Sequence, residues 1–238
     1  MRYLLTLLIL TLLSTSAVAV IPVESVNSNT VGLYEKFEAV YDLSDFSFEN
    51  PYDPEEIDVQ VVFTSPSGTE WRQFGFYDNY ENADAWKVRF APDEVGEWRY
   101  VITATDGANT DSSAVQSFTA VESGHRGWIR ISEENSRYME YDDGSPFFGV
   151  GMYTPWKNDV AKFDELQSYG GNTFAIWNIT YGGMVNGYGL IEEELGRYNQ
   201  TKCGKIDELI EVAEERDLVM MYCFWPHDLF SATVWAHQ

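Results

Sequence analysis

The 238-residue sequence predicts an antiparallel β-sandwich followed by an incomplete α/β unit of the barrel type. Two patterns of apolar residues lead to this fold class. Residues 31–121 alternate between apolar and polar positions, which is typical of strands with one buried face. From about Arg130, continuous apolar runs alternate with helical patterns, which indicates parallel strands joined by right-handed crossovers.

Three alternating segments predict strands in the first half of the chain. Their apolar positions are Val59, Val61 and Phe63, then Trp86, Val88 and Phe90, then Trp98, Tyr100 and Ile102. Turn residues at 65–68, 92–96 and 106–107 separate these segments. Short, two-faced strands interrupted in this way predict a sandwich of about 100 residues, which we place at residues 20–122.

Three apolar runs predict the strands of the second domain, which we place at residues 123–238. The segment 122–130 is the expected junction with the sandwich. Residues 146–152 look like a buried first strand, and residues 173–177 like a second. The run 218–225 is apolar without alternation, as in a strand that is covered on both faces.

Two helices are predicted between these strands, which completes the order β-α-β-α-β. The first is capped by Asn158 or Asp159 and ends at Gly170, and its apolar face carries Val160, Phe163 and Leu166. The second covers residues 204–215, where four apolar residues repeat at helical spacing. These are Ile206, Leu209, Ile210 and Ala213.

Residues 1–19 have the pattern of a signal peptide. Arg2 precedes an apolar run at 4–13, and Ala17-Val18-Ala19 supplies the small residues that signal peptidase requires before the expected cleavage site after Ala19. We therefore expect export, to the periplasm or the extracellular space. The apolar run is shorter than the roughly 20 residues that span a bilayer, so no membrane association is expected after cleavage.

The composition excludes several classes of function. The formal net charge of −23 repels phosphate backbones and anionic lipids, so nucleic-acid partners are not expected. Three His and two Cys fit neither a zinc module nor a disulfide scaffold. Whether Cys203 and Cys223 pair after export stays open. The acidity fits either an exported protein in salty water or an ordinary acidic secreted protein.

No motif in the sequence predicts a cofactor or a metal. The glycines at 149 and 151 lack the third glycine of a dinucleotide fingerprint, since position 154 is Thr. The acidic turn at 106–111 lacks the spacing of a calcium loop. His227 and Asp228 are adjacent, but no third ligand stands near them in the sequence.

Aromatic and polar residues cluster just after the predicted strand ends. They are Tyr153, Trp156, Trp177, Asn178, Trp225, His227 and Asp228. In a β/α barrel the carboxyl ends of the strands form the active face. Aromatic faces stack on sugar rings while amide, imidazole and carboxylate groups bind hydroxyls, so this set predicts a carbohydrate-binding cleft. The alternative is that these rings only cap the barrel core.

Motifs in series resemble a known domain pair. In the first half they are Phe37-Glu38, Asn50-Pro51-Tyr52-Asp53, Pro66-Ser67-Gly68, Gly75-Phe76-Tyr77, the segment 86–92 and Gly96-Glu97-Trp98. Together they resemble the immunoglobulin-like domain of unknown function that precedes the catalytic barrel in many bacterial glycoside hydrolases. The segments 147–151, 196–200, 206–207 and 211–215 are similar to the opening of those TIM barrels.

The resemblance implies retaining hydrolysis by two carboxylates, one of them a Glu that follows an Asn at the end of the fourth barrel strand. The sequence stops shortly after the third predicted strand and contains no Asn-Glu pair, so no catalytic residue is assigned. We expect the N-terminal portion of a secreted glycoside-hydrolase-like protein that acts on poly- or oligosaccharides, inactive as this chain.

The sandwich has two alternative roles. It could be the working module of a non-catalytic carbohydrate-binding or adhesion protein, with Trp71, Tyr77 and Tyr80 as exposed rings. It could instead be a spacer or docking surface that packs against the barrel of the same chain. The resemblance favours this packing as the role of the sandwich itself.

Overall fold

The computed structural model describes residues 21–153, 160–177 and 191–224. Its first ten strands form two sheets around one core. They are β1 (Val23–Val26), β2 (Thr30–Gly32), β3 (Phe37–Tyr41), β4 (Asp58–Thr64), β5 (Glu70–Phe74), β6 (Phe76–Asp78), β7 (Ala85–Phe90), β8 (Gly96–Thr105), β9 (Thr110–Ser112) and β10 (Gln116–Val121). A 3₁₀ turn, Tyr80–Asn82, lies between β6 and β7.

The strand order defines a β-sandwich. One sheet has the order β1-β3-β7-β6, and the other has the order β2-β10-β8-β4-β5 with β9 paired to β8. The pairing of β10 with β2 is parallel, while every other pair of neighbours in these two sheets is antiparallel. The prediction of an antiparallel sandwich in this half is therefore confirmed.

Aromatic rings from both sheets fill the core of the sandwich. Phe37 of the first sheet stacks on Phe118 of the second at 4.0 Å between centroids, and Phe63 stacks on Phe90 at 4.2 Å. All three predicted alternating segments place their apolar residues in this core. The alternation predicted these strands because side chains on a strand point to opposite faces in turn.

The predicted strand at 146–152 is wrong as a single element. Pro146–Phe147 forms β13, which completes a small antiparallel sheet with β11 (Ile129–Ile131) and β12 (Met139–Tyr141). The chain then leaves that sheet, and Gly151–Tyr153 forms β14 in another. Gly151 allows this change, since a Cβ on it would lie 1.8 Å from the carbonyl oxygen of Thr173.

The described residues of the second half include three parallel strands and two helices in the expected order. After β14 come α1 (Val160–Ser168), β15 (Thr173–Trp177), β16 (Glu192–Glu194), β17 (Arg197–Tyr198), α2 (Gln200–Glu214) and β18 (Val219–Cys223). β14 pairs with β15 and β15 with β18, both in parallel. The two-stranded ribbon of β16 and β17, which precedes α2, was not predicted.

Helix α2 begins four residues earlier than predicted. Asn199 caps it, because its side-chain oxygen accepts a hydrogen bond from the backbone N–H of Lys202 at 3.0 Å. Gly204 therefore lies inside the helix rather than at its start. The predicted caps of α1, Asn158 and Asp159, lie outside the described residues.

The two faces of the parallel sheet differ in exposure. Phe174 and Ile176 of β15 are buried in one cluster with Phe163 of α1 and Leu209 of α2. On β18, however, Met221 is 62% exposed, so the prediction that this strand is covered on both faces is wrong for the described residues. Both helices pack on the face of Phe174 and Ile176; on the opposite face Met221 is exposed, whereas its neighbour Ala175 is buried.

The predicted signal peptide lies outside the described residues. Within the part that the structure describes, no helix combines the length and apolarity that crossing a membrane requires.

Candidate functional site

The carboxyl ends of the three parallel strands meet at one edge. The register pairs Tyr153 at the end of β14 with Ala175, and Trp177 at the end of β15 with Cys223 of β18. The side chain of Tyr153 is 52% exposed at this edge. Two of the seven predicted substrate contacts are thus on neighbouring strand ends, as parallel pairing requires.

The other five predicted contacts lie outside the described residues. They are Trp156, Asn178, Trp225, His227 and Asp228. Each follows directly or closely on a described strand in the sequence. Their role as substrate contacts stays a prediction.

Two aromatic residues near this edge were not singled out from the sequence. Phe224 follows β18 and is exposed, and its ring lies edge-on to Tyr222 at 4.9 Å. The Tyr222 hydroxyl is buried and accepts or donates no hydrogen bond among the described residues. Burial raises the pKa of this hydroxyl, so it stays protonated at neutral pH.

Helix α2 has a second face, which lies against the sandwich. Its apolar stripe, with Leu209 and Ala213, packs on the parallel sheet. A polar stripe at the same helical spacing instead contacts strands and turns of the first half. Its members are Gln200, Gly204, Asp207, Glu208 and Glu211.

Ion pairs connect this polar stripe to basic residues of the sandwich. Arg89 Nη1 of β7 lies 2.9 Å from Asp207, while its Nε donates to Glu38 at 2.7 Å. Lys36 lies 3.3 Å from Glu211. Burial lowers the pKa of Arg89, but the two carboxylates outweigh it, and the net pKa is raised.

Tyr80 contacts α2 through both its hydroxyl and its ring. Its hydroxyl donates to Glu208, which also accepts from Lys205 at 2.8 Å. The hydrogen bonds from Lys205 and Tyr80 lower the pKa of Glu208, and the bond to Glu208 raises the pKa of Tyr80. A Cβ on Gly204 would lie 2.2 Å from the Tyr80 ring, so only glycine fits under it.

Further contacts surround the start of α2. The Asn50 amide donates to the carbonyl oxygen of Gly196 at 3.1 Å, and the backbone N–H of Asn79 donates to Gln200 at 3.1 Å. The rings of Tyr52 and Tyr198 meet edge-on at 5.3 Å. These partners are more than 100 positions apart, so no local pattern could pair them, although the second stripe on α2 was a usable signal.

The three sandwich aromatics considered as exposed sugar platforms do not form one row. Trp71 lies on β5 of one sheet and Tyr77 on β6 of the other, while Tyr80 belongs to the 3₁₀ turn against α2. Trp71 is exposed and Tyr77 half-buried. A flat glycan could not stack on all three at once.

No metal-binding cluster of three His, Cys, Asp or Glu occurs in the ranges that the structure describes. Cys203 is present as a half-buried free thiol. Burial, together with Asp207 and Asp78, raises its pKa to about 11, which leaves it protonated and weakly nucleophilic at neutral pH.

The sandwich matches a known sequence family. Residues 30–105 match the family described as "Domain of unknown function (DUF5060)". These residues run from β2 to the end of β8, in agreement with the resemblance of the first half to a domain of unknown function. A comparison with curated proteins found no match.

A solved structure shares the fold of a larger part of the chain. A candidate glycoside hydrolase from Bacteroides vulgatus ATCC 8482 is 18% identical with a TM-score of 0.64, and the alignment covers 87% of this chain and 45% of that one. This chain therefore spans less than half of that protein. At this identity the likeness shows the fold alone.

Two further matches have lower scores. Chitinase ChiW from Paenibacillus sp. str. FPU-7, a multi-modular cell-surface enzyme, is 13% identical over 87% of this chain and 16% of that one, with a TM-score of 0.30. A family 39 glycoside hydrolase from Bacteroides cellulosilyticus WH2 is 10% identical over 90% of this chain and 35% of that one, with a TM-score of 0.26. These scores are too low to show a shared fold.

Proposed function

We propose that this chain is part of a secreted, glycoside-hydrolase-like protein that acts on poly- or oligosaccharides. In this proposal the parallel strands are the first units of a TIM barrel, and their shared edge binds sugar. The sandwich is a docking module that packs against the barrel through contacts with α2.

The observation that carries this proposal is the one-sided parallel sheet. Helices cover the face with Phe174 and Ile176, while Met221 and Tyr153 are exposed on the other strands of the sheet. A barrel needs this arrangement, because the inner face of its sheet packs against side chains from the other strands, while helices cover the outer face. The shared fold with the Bacteroides vulgatus protein supports the same architecture.

Sugar binding at the strand edge follows from the residues that end the strands. Tyr153 and Trp177 lie on adjacent strand ends, and aromatic or polar residues follow in the sequence after each of the three strands. Aromatic rings offer an apolar face and polar groups offer hydrogen bonds, which matches the two surfaces of a pyranose. The sequence contains no Asn-Glu pair, so we propose that the 238 residues bind sugar without cleaving it.

The docking role of the sandwich rests on the polar stripe of α2. Two ion pairs, the Tyr80–Glu208 hydrogen bond and the close fit of Gly204 under Tyr80 connect the halves. Exposed and partly exposed pairs of this kind contribute little individually but fix one orientation. A spacer without a docking role would not need complementary residues on both surfaces.

The indole N–H signals of the eight tryptophans test the proposal by NMR. Each signal is assigned with a Trp→Phe variant, and neutral gluco-, xylo-, manno- and galacto-oligosaccharides are titrated in turn. We expect one of them to shift the signals of Trp156, Trp177 and Trp225. The indole of Trp71, an exposed sandwich residue, serves as the matched control and should not move.

Two results would contradict the proposal. If no oligosaccharide shifts the three strand-edge signals, the edge is not a sugar site. If the shift is confined to Trp71, the sandwich is the working module, as in a carbohydrate-binding or adhesion protein.

A further inference from the structure

A cavity of about 610 Å³ lies between the sandwich and the N-terminal half of α2. Segment 51–59 and strand β6 form one side, and Tyr198 with Cys203 and Asp207 forms the other. Its volume falls within the roughly 300–1,000 Å³ that is usual for small-molecule sites. Among the described residues of the strand edge, neither Tyr153 nor Cys223 lines its walls.

Aromatic rings make up much of the cavity wall. Tyr52 stands edge-on between Tyr77 at 5.9 Å and Tyr198 at 5.3 Å, which holds the three rings in fixed orientations. Phe74 and Tyr198 are 66% and 38% exposed, although both are large. Fixed, partly exposed rings with phenol groups can receive a ligand that has both an apolar face and hydroxyl groups.

The charges in the wall select against anionic ligands. Arg89 is bound by Glu38 at 2.7 Å and by Asp207 at 2.9 Å, so its positive charge is already neutralised. Lys87 lies 2.6 Å from Asp78. Burial raises the pKa of Asp78, but the hydrogen bond from Lys87 opposes this effect, and the net pKa is lowered. Asp78 thus remains ionised, and the carboxylate oxygens of Asp78 and Asp207 can accept hydrogen bonds from hydroxyls.

We propose that this cavity is a second carbohydrate site, which takes a neutral mono- or disaccharide segment. Its rings would stack on the pyranose faces, and Asp78 and Asp207 would accept hydrogen bonds from the sugar hydroxyls. This inference rests on the proposed function in that both assume a carbohydrate ligand. It adds a site at the junction of the two halves, where a bound glycan would contact the sandwich and α2 together.

The same NMR titration tests the inference with a different reporter. Trp86 lines the cavity, whereas Trp98 is fully buried in the sandwich core and serves as the control. We expect a neutral oligosaccharide to shift the Trp86 indole and leave Trp98 unchanged. The double variant Phe74→Ala and Tyr198→Ala should weaken this binding about tenfold, as expected for the loss of two ring contacts. Both side chains are exposed enough that the fold should survive, which circular dichroism checks.

Each outcome separates this inference from the proposed function. Shifts at Trp156, Trp177 and Trp225 without a shift at Trp86 would overturn the cavity site and leave the strand edge standing. A shift at Trp86 alone would support the cavity and contradict the strand edge. A Trp86 shift that the double variant does not weaken, or that an oligogalacturonate causes equally well, would overturn the inference.

Discussion

Replacing Gly204 by alanine tests how closely the sandwich docks on α2. Glycine inside a helix is less favourable than alanine by about 1 kcal/mol, so the substitution should stabilise an undocked helix by that amount. In the docked protein, however, the new Cβ would lie 2.2 Å from the Tyr80 ring. Non-bonded carbons are normally about 3.5–4.0 Å apart, so the ring or the helix must move by more than 1 Å.

The structure therefore predicts that the sign of the effect depends on Tyr80. Overpacking costs about 1–3 kcal/mol, which outweighs the gain in helix propensity. We expect Gly204→Ala to destabilise the wild-type chain by about 1 kcal/mol. In a Tyr80→Ala background the space under the helix is free, and the same substitution should stabilise the chain by about 1 kcal/mol.

Urea unfolding of the 238-residue chain, followed by circular dichroism at 222 nm, measures the four free energies of unfolding. A Tyr80→Phe background is the matched control, because it keeps the ring and removes only the hydroxyl group, which donates to Glu208. There, Gly204→Ala should remain destabilising. Additive effects of Gly204→Ala and Tyr80→Ala, within about 0.5 kcal/mol, would refute the close contact.

Three further predictions concern single residues. Asn199→Ala should lower the free energy of unfolding by about 1 kcal/mol in urea, because the N-cap of α2 is lost, while Asn199→Asp should retain most of it. Backbone hydrogen bonds, first from Asn109, lower the pKa of Asp106 to about 2; its stabilising contribution is complete above its ordinary pKa and is lost as the pH falls through about 2. An NMR titration that gave Asp106 an ordinary pKa would contradict this. Phe63→Ala should destabilise by about 3–5 kcal/mol and Phe63→Leu by less, measured by urea unfolding, since Phe63 is fully buried and stacks on Phe90.

The sandwich was predictable because burial on one face leaves a period of two in the sequence. Val59, Val61 and Phe63 show this period, and all three are buried in the core. The parallel order of β14, β15 and β18 was predictable for a related reason, since strands that alternate with helices are joined by crossovers. Both predictions depend only on local patterns and general rules of connection.

The errors occur where a distant partner decides the local structure. Residues 146–152 look like one strand, but Phe147 pairs with Met139 while Gly151 pairs with Thr173, so the run divides between two sheets. Gly204 looks like a helix start because glycine weakens helices, yet its place inside α2 is explained by the Tyr80 ring. Neither partner is visible in the local pattern.

The candidate site was also predictable only in part. Parallel register brings Tyr153 and Trp177 to adjacent strand ends, as the order of elements predicts. The contact surface between α2 and the sandwich could not be paired from the sequence, because Tyr80 and Glu208 are 128 positions apart. The polar stripe on α2 could have indicated a second contact face, but not its partner.

Binding of the intact 238-residue chain to a glycan array tests directly whether this chain binds neutral carbohydrate. The array should carry neutral poly- and oligosaccharides together with uronate-containing and sulfated glycans of similar length. We expect retention of neutral glycans and little retention of anionic ones, since the chain has a net charge of −23 and Arg89 in the cavity wall is paired with two carboxylates. Retention of no glycan, or preferential retention of anionic glycans, would contradict it.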